Sequence, residues 1–510
     1  MDMDDDSCYR ALLARDSRFD GRLFVAVRTT GIYCRPICPA RTPKRENVTF
    51  HATATAAQAA GYRPCLRCRP ESSPDLAAWR GTSNTVARAL ALIEAGALDD
   101  DDVDALAGRL GVGERQLRRL FQQHLGASPI SVAQTRRVLL AKQLIHETRL
   151  PMTEVALAAG FGSARRFNET FQALFDRPPA ALRRLAGEAA AGADGIRLDL
   201  SYRGPYDWAG IIAFLSMRAI AGVEVVTPEA YSRTIALGLD RGLLTVTPSA
   251  RPDRLSVTLR FPRLVALPAI LSRVRRVFDL TADPLAIADH LGRDPALAPR
   301  VAARPGLRVP GAWDGFELAV RAILGQQITV AAATSLAARI VREWGEPLPA
   351  DLAGVVPGLT HIFPSAERLA QADLSVLPMP RARSGYLLDL ARTVAADPAM
   401  FEPRGDLSEA IARLRALSGV GDWTAHYIAM RQLREPDAFP PGDIGLMRAM
   451  AGPGGVRPTA AALQARAEAW RPWRAYAALH LWSAEPMADP LAAAPTLKIR
   501  PKVRHVRQTA

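Results

Sequence analysis

Leu417-Ser418-Gly419-Val420-Gly421-Asp422-Trp423-Thr424-Ala425-His426-Tyr427 sets two glycines between a helical segment near residue 411 and a second helix opening at Asp422. Gly419 and Gly421 let the backbone turn tightly and bring the first amides of the second helix against a DNA phosphate. The pattern predicts a helix-hairpin-helix. Alone, a G-V-G is as readily a plain interhelical turn. Downstream, Phe439-Pro440-Pro441-Gly442-Asp443 puts a carboxylate after a rigid turn, placed to face a DNA-binding cleft. By residue type, Asp443 is a helix cap, a solvated charge or a catalytic group.

Around this hairpin, residues 286–487 are rich in Ala, Leu and Arg with helical spacing. Upstream, Ile196 to Tyr202, Leu243 to Thr247 and Leu255 to Leu259 alternate and are β-prone, so a sheet subdomain is expected over 196–285. Small residues at 188–195 read as a linker. Residues 82–187 are helical again, with Leu117, Leu120, Phe121 and Leu125, then Phe167, Phe171, Leu174 and Phe175, expected to meet in one small core. A turn-forming stretch, Pro70 to Pro74, closes an N-terminal module over 1–75, and a basic tail occupies 488–510. The expected class is multidomain and mainly α with α+β parts.

Composition narrows the partners. Lys and Arg number 65 against 51 Asp and Glu among 510 residues, a formal charge of +14. That excess favours a polyanion. No apolar run reaches the roughly 18 residues of a membrane span, and the acidic start is unlike a secretion signal, so nucleic acid is favoured over membrane. Five cysteines, at positions 8, 34, 38, 65 and 68, are too few for a disulfide scaffold and point to a reducing cytoplasm.

Cys34-Arg35-Pro36-Ile37-Cys38 and Cys65-Leu66-Arg67-Cys68 are two tight pairs separated by 26 residues, a spacing that closes a tetrahedral thiolate site for Zn2+. Such a closed shell is structural, or its anionic sulfur is a nucleophile. Arg28, Arg35, Arg41, Lys44, Arg45, Arg63 and Arg67 surround it in sequence. Further on, Val103 to Leu110, a Gly111-Val112-Gly113 turn and a helix with Arg115 and Arg118 on its polar face suit a helix-turn-helix. After a linking helix near 129–147, a second copy follows, with Arg165 and Arg166 facing outward.

Three resemblances follow from these motifs. Residues 6–70, through Phe24-Val25-Ala26-Val27-Arg28-Thr29-Thr30-Gly31-Ile32-Tyr33-Cys34-Arg35-Pro36 and Gly61-Tyr62-Arg63-Pro64-Cys65, resemble the zinc domain of the Ada family. The resemblance implies that Cys34 takes a methyl group irreversibly from a DNA methyl phosphotriester and that Cys38, Cys65 and Cys68 are permanent zinc ligands. It also puts Thr30, Arg41 and Arg63 on DNA, with Pro39 where the family has another arginine. Cys8 lies outside the cluster and reads as an ordinary thiol. Residues 85–185, through Val155-Ala156-Leu157-Ala158-Ala159-Gly160-Phe161 and the phenylalanines after it, resemble AraC-type transcription activators. That implies promoter DNA as a partner, with RNA polymerase as a further candidate.

Residues 196–485 resemble the AlkA-type 3-methyladenine DNA glycosylase II family, through Pro205-Tyr206-Asp207-Trp208, Arg304-Pro305-Gly306-Leu307-Arg308, Val320-Arg321-Ala322-Ile323-Leu324-Gly325-Gln326 and Trp470-Arg471-Pro472-Trp473. The implied role of Asp443 is catalytic, with Trp423, Tyr427, Trp482 and Phe214 as the aromatic base pocket, favouring cationic bases through cation–π contacts. Trp423 stands where related bifunctional enzymes carry an attacking lysine, so simple hydrolysis is implied. Gln327 replaces the family's intercalating leucine, and Gly442 stands where a second aspartate is expected. The absence of cysteine after residue 68 excludes a Pro-Cys-His-Arg O6-methylguanine methyltransferase in this chain. The combined expectation is repair of alkylated double-stranded DNA joined to regulation of repair genes. The alternative is a transcription regulator whose glycosylase half only binds DNA.

Overall fold

The computed structural model describes residues 4–74, 84–185, 195–452 and 455–483. The linker at 188–195, apart from Gly195, and the tail at 488–510 lie outside them.

The N-terminal module is a four-stranded sheet with strand order Val48–His51, Phe24–Val27, Ile32–Cys34 and Arg63–Pro64. The strand Phe24–Val27 is apolar on both faces because both are covered. Phe24 and Ala26 pack with Tyr33 and the helix residue Ala57, while Val25 packs with Leu12 and Val48. The last pairing, with Ile32 opposite Arg63 and Tyr33 opposite Pro64, brings the two cysteine pairs to one end of the sheet.

Eight helices follow among the described residues 84–185. Val103–Arg109 and Glu114–Leu125 form the first helix-turn-helix, and Met152–Ala158 and Ala164–Phe175 the second, joined by Pro129–Glu147. Asp102, Ser128 and Ser163 each cap a helix start through the side chain. The sequence predicted one small core here, and the structure divides it. Leu117, Phe121 and Leu125 pack with Val86, Ile93 and Leu106. Phe161, Phe167, Phe171 and Phe175 instead belong to a core that continues into the following sheet through Leu198 and Leu200 and into helix Leu267–Val277. The second unit is amphipathic on two sides because the sheet domain covers one of them.

That sheet has five antiparallel strands in the order Ile196–Ser201, Arg254–Arg260, Asp240–Pro248, Tyr231–Leu237 and Glu224–Val226. Helix Leu267–Val277 packs into the core shared with the sheet, and the helices from Pro284–Leu291 onward build the large core around Phe316, Ile340, Leu387, Leu414, Ile428 and Trp470.

Buried polar ties cross between the modules. Lys142 Nζ, fully buried, donates to the Cys65 carbonyl and to Glu71 Oε2, both at 2.7 Å. Arg22 of the N-terminal module and Arg203 both pair with Asp283, and Arg109 meets Glu402 at 3.0 Å.

Candidate active site and thiol cluster

The sheet ends and hairpins place the four cysteines. Cys34 closes its strand, a turn returns Cys38 N–H to the Arg35 carbonyl at 3.1 Å, and Cys65 N–H pairs with the Tyr33 carbonyl at 3.0 Å. All four sulfur donors lie within 4.8 Å of one another. A tetrahedron of Zn–S bonds of about 2.3 Å needs sulfurs that close, so the donor set fits Zn2+ in number, chemistry and spacing. Backbone N–H groups of Arg35 and Arg67 reach the sulfurs of Cys68 and Cys65, each at 3.3 Å, which suits anionic thiolates.

The four thiols differ in access. Cys38, Cys65 and Cys68 are buried, whereas Cys34 is half-exposed. Thr30 and Arg41 are exposed and Arg63 half-exposed on this module. Arg35 is withdrawn from solvent, bound to Asp20, to Ser72 Oγ at 2.8 Å and to the Cys68 carbonyl at 3.3 Å. Arg115, Arg118, Arg165 and Arg166 are exposed on the second helix of each helix-turn-helix. Arg118 pairs with Glu114 and Arg165 with Glu169, whereas Arg115 and Arg166 have no carboxylate partner among the described residues to compete with an incoming phosphate.

The hairpin forms between helices Leu407–Arg415 and Asp422–Ile428. Gly419 has φ +75°, and a Cβ there would lie 2.5 Å from the Tyr386 ring. Gly421 is exposed with open space around it. Gln326 Nε2 donates to the Gly419 carbonyl at 2.7 Å and so braces the loop carrying Gln327, which is exposed with φ +59°.

Asp443 caps helix Ile444–Ala449, its Oδ1 accepting Leu446 N–H at 2.8 Å. The carboxylate is clamped further by two indoles, Trp423 Nε1 to Oδ2 at 2.6 Å and Trp482 Nε1 to Oδ1 at 2.9 Å. Asp443, Trp423, Tyr427, Trp482 and Phe214 all line one cavity of about 410 Å3. The expected pocket residues are therefore together in space.

The rings are arranged in a way their spacing did not reveal. Trp423 and Tyr427 stack on each other, with centroids 5.0 Å apart and planes at 12°. Phe214 is faced by Arg218 at 3.8 Å and Arg431 at 4.9 Å, and Arg431 also faces Tyr427 at 5.2 Å. The protein's own cations thus face the Phe214 and Tyr427 rings, which sequence reading assigned to a cationic base, whereas Trp423, 37% exposed, and Trp482 have no such cation over them among the described residues. Arg218 and Arg431 were missed in the sequence. The available signal was their position four residues after Phe214 and Tyr427, on the same helical side.

Comparison with known proteins matches each module in turn. The model "Metal binding domain of Ada" matches residues 7–71, a "Helix-turn-helix domain" 106–185, the "AlkA N-terminal domain" 197–314, and the "HhH-GPD superfamily base excision DNA repair protein" 320–475. The chain is 43% identical over 484 residues to a probable bifunctional transcriptional activator/DNA repair enzyme AlkA of Mycobacterium tuberculosis, covering 94% of this chain and 96% of that protein. It is 37% identical to DNA-3-methyladenine glycosylase 2 of Escherichia coli, over 56% of this chain and 96% of that one. It is 38% identical to the bifunctional transcriptional activator/DNA repair enzyme Ada of Escherichia coli, over 31% of this chain and 43% of that one. Among the described residues no helix is long and apolar enough to cross a membrane. Four modules in one order, and a relative matched nearly end to end, place the chain in the family of bifunctional transcriptional activator/DNA repair enzymes that join an Ada-type metal-binding domain and a helix-turn-helix to an AlkA-type glycosylase.

Proposed function

We propose that this chain hydrolytically excises alkylated bases such as 3-methyladenine from double-stranded DNA, accepts a methyl group from DNA methyl phosphotriesters on Cys34, and in its methylated form activates transcription from promoter DNA. The observation that carries the excision reading is Asp443, oriented by Trp423 and Trp482 within an aromatic cavity. A base extracted from the stack enters that cavity, and the C1′–N bond breaks through a sugar with oxocarbenium character. The fixed carboxylate stabilises that cation and takes a proton from the attacking water. Among the described residues no lysine lines the cavity, which supports hydrolysis over attack by an amine.

In the N-terminal module, the half-exposure of Cys34 beside three buried cysteines supports it as acceptor. Cys34, Cys38, Cys65 and Cys68 would hold Zn2+, which would keep their sulfur anionic at neutral pH. The Cys34 sulfur attacks the methyl carbon, the methyl–oxygen bond breaks, and the phosphate leaves as an ordinary diester anion. One negative charge is lost from the cluster, which reduces repulsion from DNA. The alkylated thioether does not return the methyl, so the acceptor is consumed. RNA polymerase is the proposed protein partner of the promoter-bound form. A base-release assay on methylated duplexes, run with zinc analysis of the same sample, tests the reading. Free alkylated base and one zinc per chain are expected, whereas intact lesions bound tightly by the protein support a regulator that only binds DNA.

A further inference from the structure

Two arginines converge on one phenol in the cavity wall. Arg431 Nη1 donates to Tyr427 Oη at 2.6 Å, and Arg218, seated over the Phe214 ring of the same cavity, places a second positive charge beside the phenol. Arg431 is buried and cannot swing away, because its guanidinium also donates to the Pro310 carbonyl at 2.7 Å and the Gly311 carbonyl at 3.3 Å. Burial alone raises a phenol, but the two guanidiniums outweigh it and hold Tyr427 below the usual tyrosine value. Arg321 is the next cation beyond Arg218. Four carboxylates line the same cavity: Glu224 and Glu317 pair with Arg321 and Arg233, Asp314 caps a helix start, and Asp443 is bound by Trp423, which stacks on Tyr427. Stacking explains the ring of Tyr427. It gives no role to a hydroxyl gripped by two cations.

The chemistry of the leaving base supplies one. A purine alkylated at a ring nitrogen is already cationic and departs neutral, with no need of a proton. A neutral damaged purine departs as an anion unless it is protonated as the bond breaks. We propose, building on the glycosylase reading above, that Tyr427 Oη is the proton donor to neutral damaged purines as they leave. The C1′–N9 bond breaks with its electron pair passing to the purine, and the phenol proton moves to a purine ring nitrogen. The phenolate left behind lies between Arg218 and Arg431. Water adds to C1′ and gives its proton to Asp443, from which it passes to solvent. After the base has left, the phenolate takes a proton from solvent, so that overall one water supplies hydroxyl to the sugar and hydrogen to the base.

The test compares two lesions in full-length, zinc-loaded protein under single-turnover conditions: hypoxanthine as a neutral base and 7-methylguanine as a cationic one. Tyr427→Phe keeps the stacked ring and removes only the hydroxyl. It is expected to lower hypoxanthine release about 100-fold more than it lowers 7-methylguanine release, over and above any loss the two bases share through the pocket. Arg218→Met, which withdraws one cation from the phenolate, is expected to lower hypoxanthine release in the same selective manner. Wild-type release of hypoxanthine should also fall on the alkaline side as the phenol loses its proton, a limb absent for 7-methylguanine. Equal losses on both bases, or undiminished hypoxanthine release by Tyr427→Phe, would overturn the proposal. If the wild type releases 7-methylguanine and not hypoxanthine, the proton-donor inference fails and the glycosylase reading stands. If it releases neither, both fail.

Discussion

Lys142, in the long helix between the two helix-turn-helix units, donates its ammonium to the backbone carbonyl of Cys65, a member of the thiol cluster, at 2.7 Å with no solvent exposure. The same ammonium pairs with Glu71, whose carboxyl it keeps below the usual range despite complete burial. The N-terminal module and the helix-turn-helix module therefore share one desolvated charge pair and are not independent beads on a string.

Replacing Lys142 by Met should leave Glu71 buried with only Arg69 to balance it. Breaking a buried pair in this way costs about 3–5 kcal/mol. Denaturant melting should show the loss, and Lys142→Met combined with Glu71→Gln should recover part of it. A single variant as stable as wild type would contradict the importance given to this tie.

After incubation with DNA carrying methyl phosphotriesters, mass spectrometry should find one added methyl on Cys34. Cys38, Cys65 and Cys68, all buried, should remain unmodified. A methyl on any of these three would reassign the acceptor.

Methylated protein should bind promoter DNA more tightly than unmethylated protein in a gel-shift titration, because the cluster facing the phosphates has lost one negative charge. Equal affinities would argue against a charge switch.

Glu435 lies buried in the glycosylase module near Arg88 of helix Asn84–Glu94, and burial pushes its carboxyl up to about 7 even though Arg88 opposes the shift. A carboxyl raised in the folded state is protonated at little cost at low pH, and its stabilising share is lost as pH rises from the unfolded value of 4.5 through about 7. The loss is on the order of 3 kcal/mol. Glu435→Gln should flatten this decline, so its melting temperature at pH 8 should exceed that of wild type while the two agree near pH 5. An unchanged pH dependence would remove Glu435 from the balance.

Local patterns carried much of this molecule. The paired cysteines, the glycine hairpin and the phenylalanine spacing of the second helix-turn-helix each encode a nearby geometry, and each is found where the pattern put it. The resemblance to a known family supplied Asp443 and the four rings, which span residues 214 to 482 and could not be assembled from spacing. Contacts between distant single residues stayed hidden. Nothing near Lys142 points to Cys65, nothing near Arg22 points to Asp283, and Trp482 gives no sign that its indole N–H reaches Asp443. The division of the helix-turn-helix core was hidden for the same reason, since an apolar helix face does not say which partner will cover it.

The central claim is that Asp443, held by two indoles, turns a bound alkylated base into a released one. Single-turnover release of 3-methyladenine from a methylated duplex, measured beside binding of the same duplex for wild type and Asp443→Asn, tests it most directly. The account predicts that the variant binds within about 3-fold of wild type and loses excision by at least about 1000-fold. Excision by Asp443→Asn at a rate near that of wild type would contradict it.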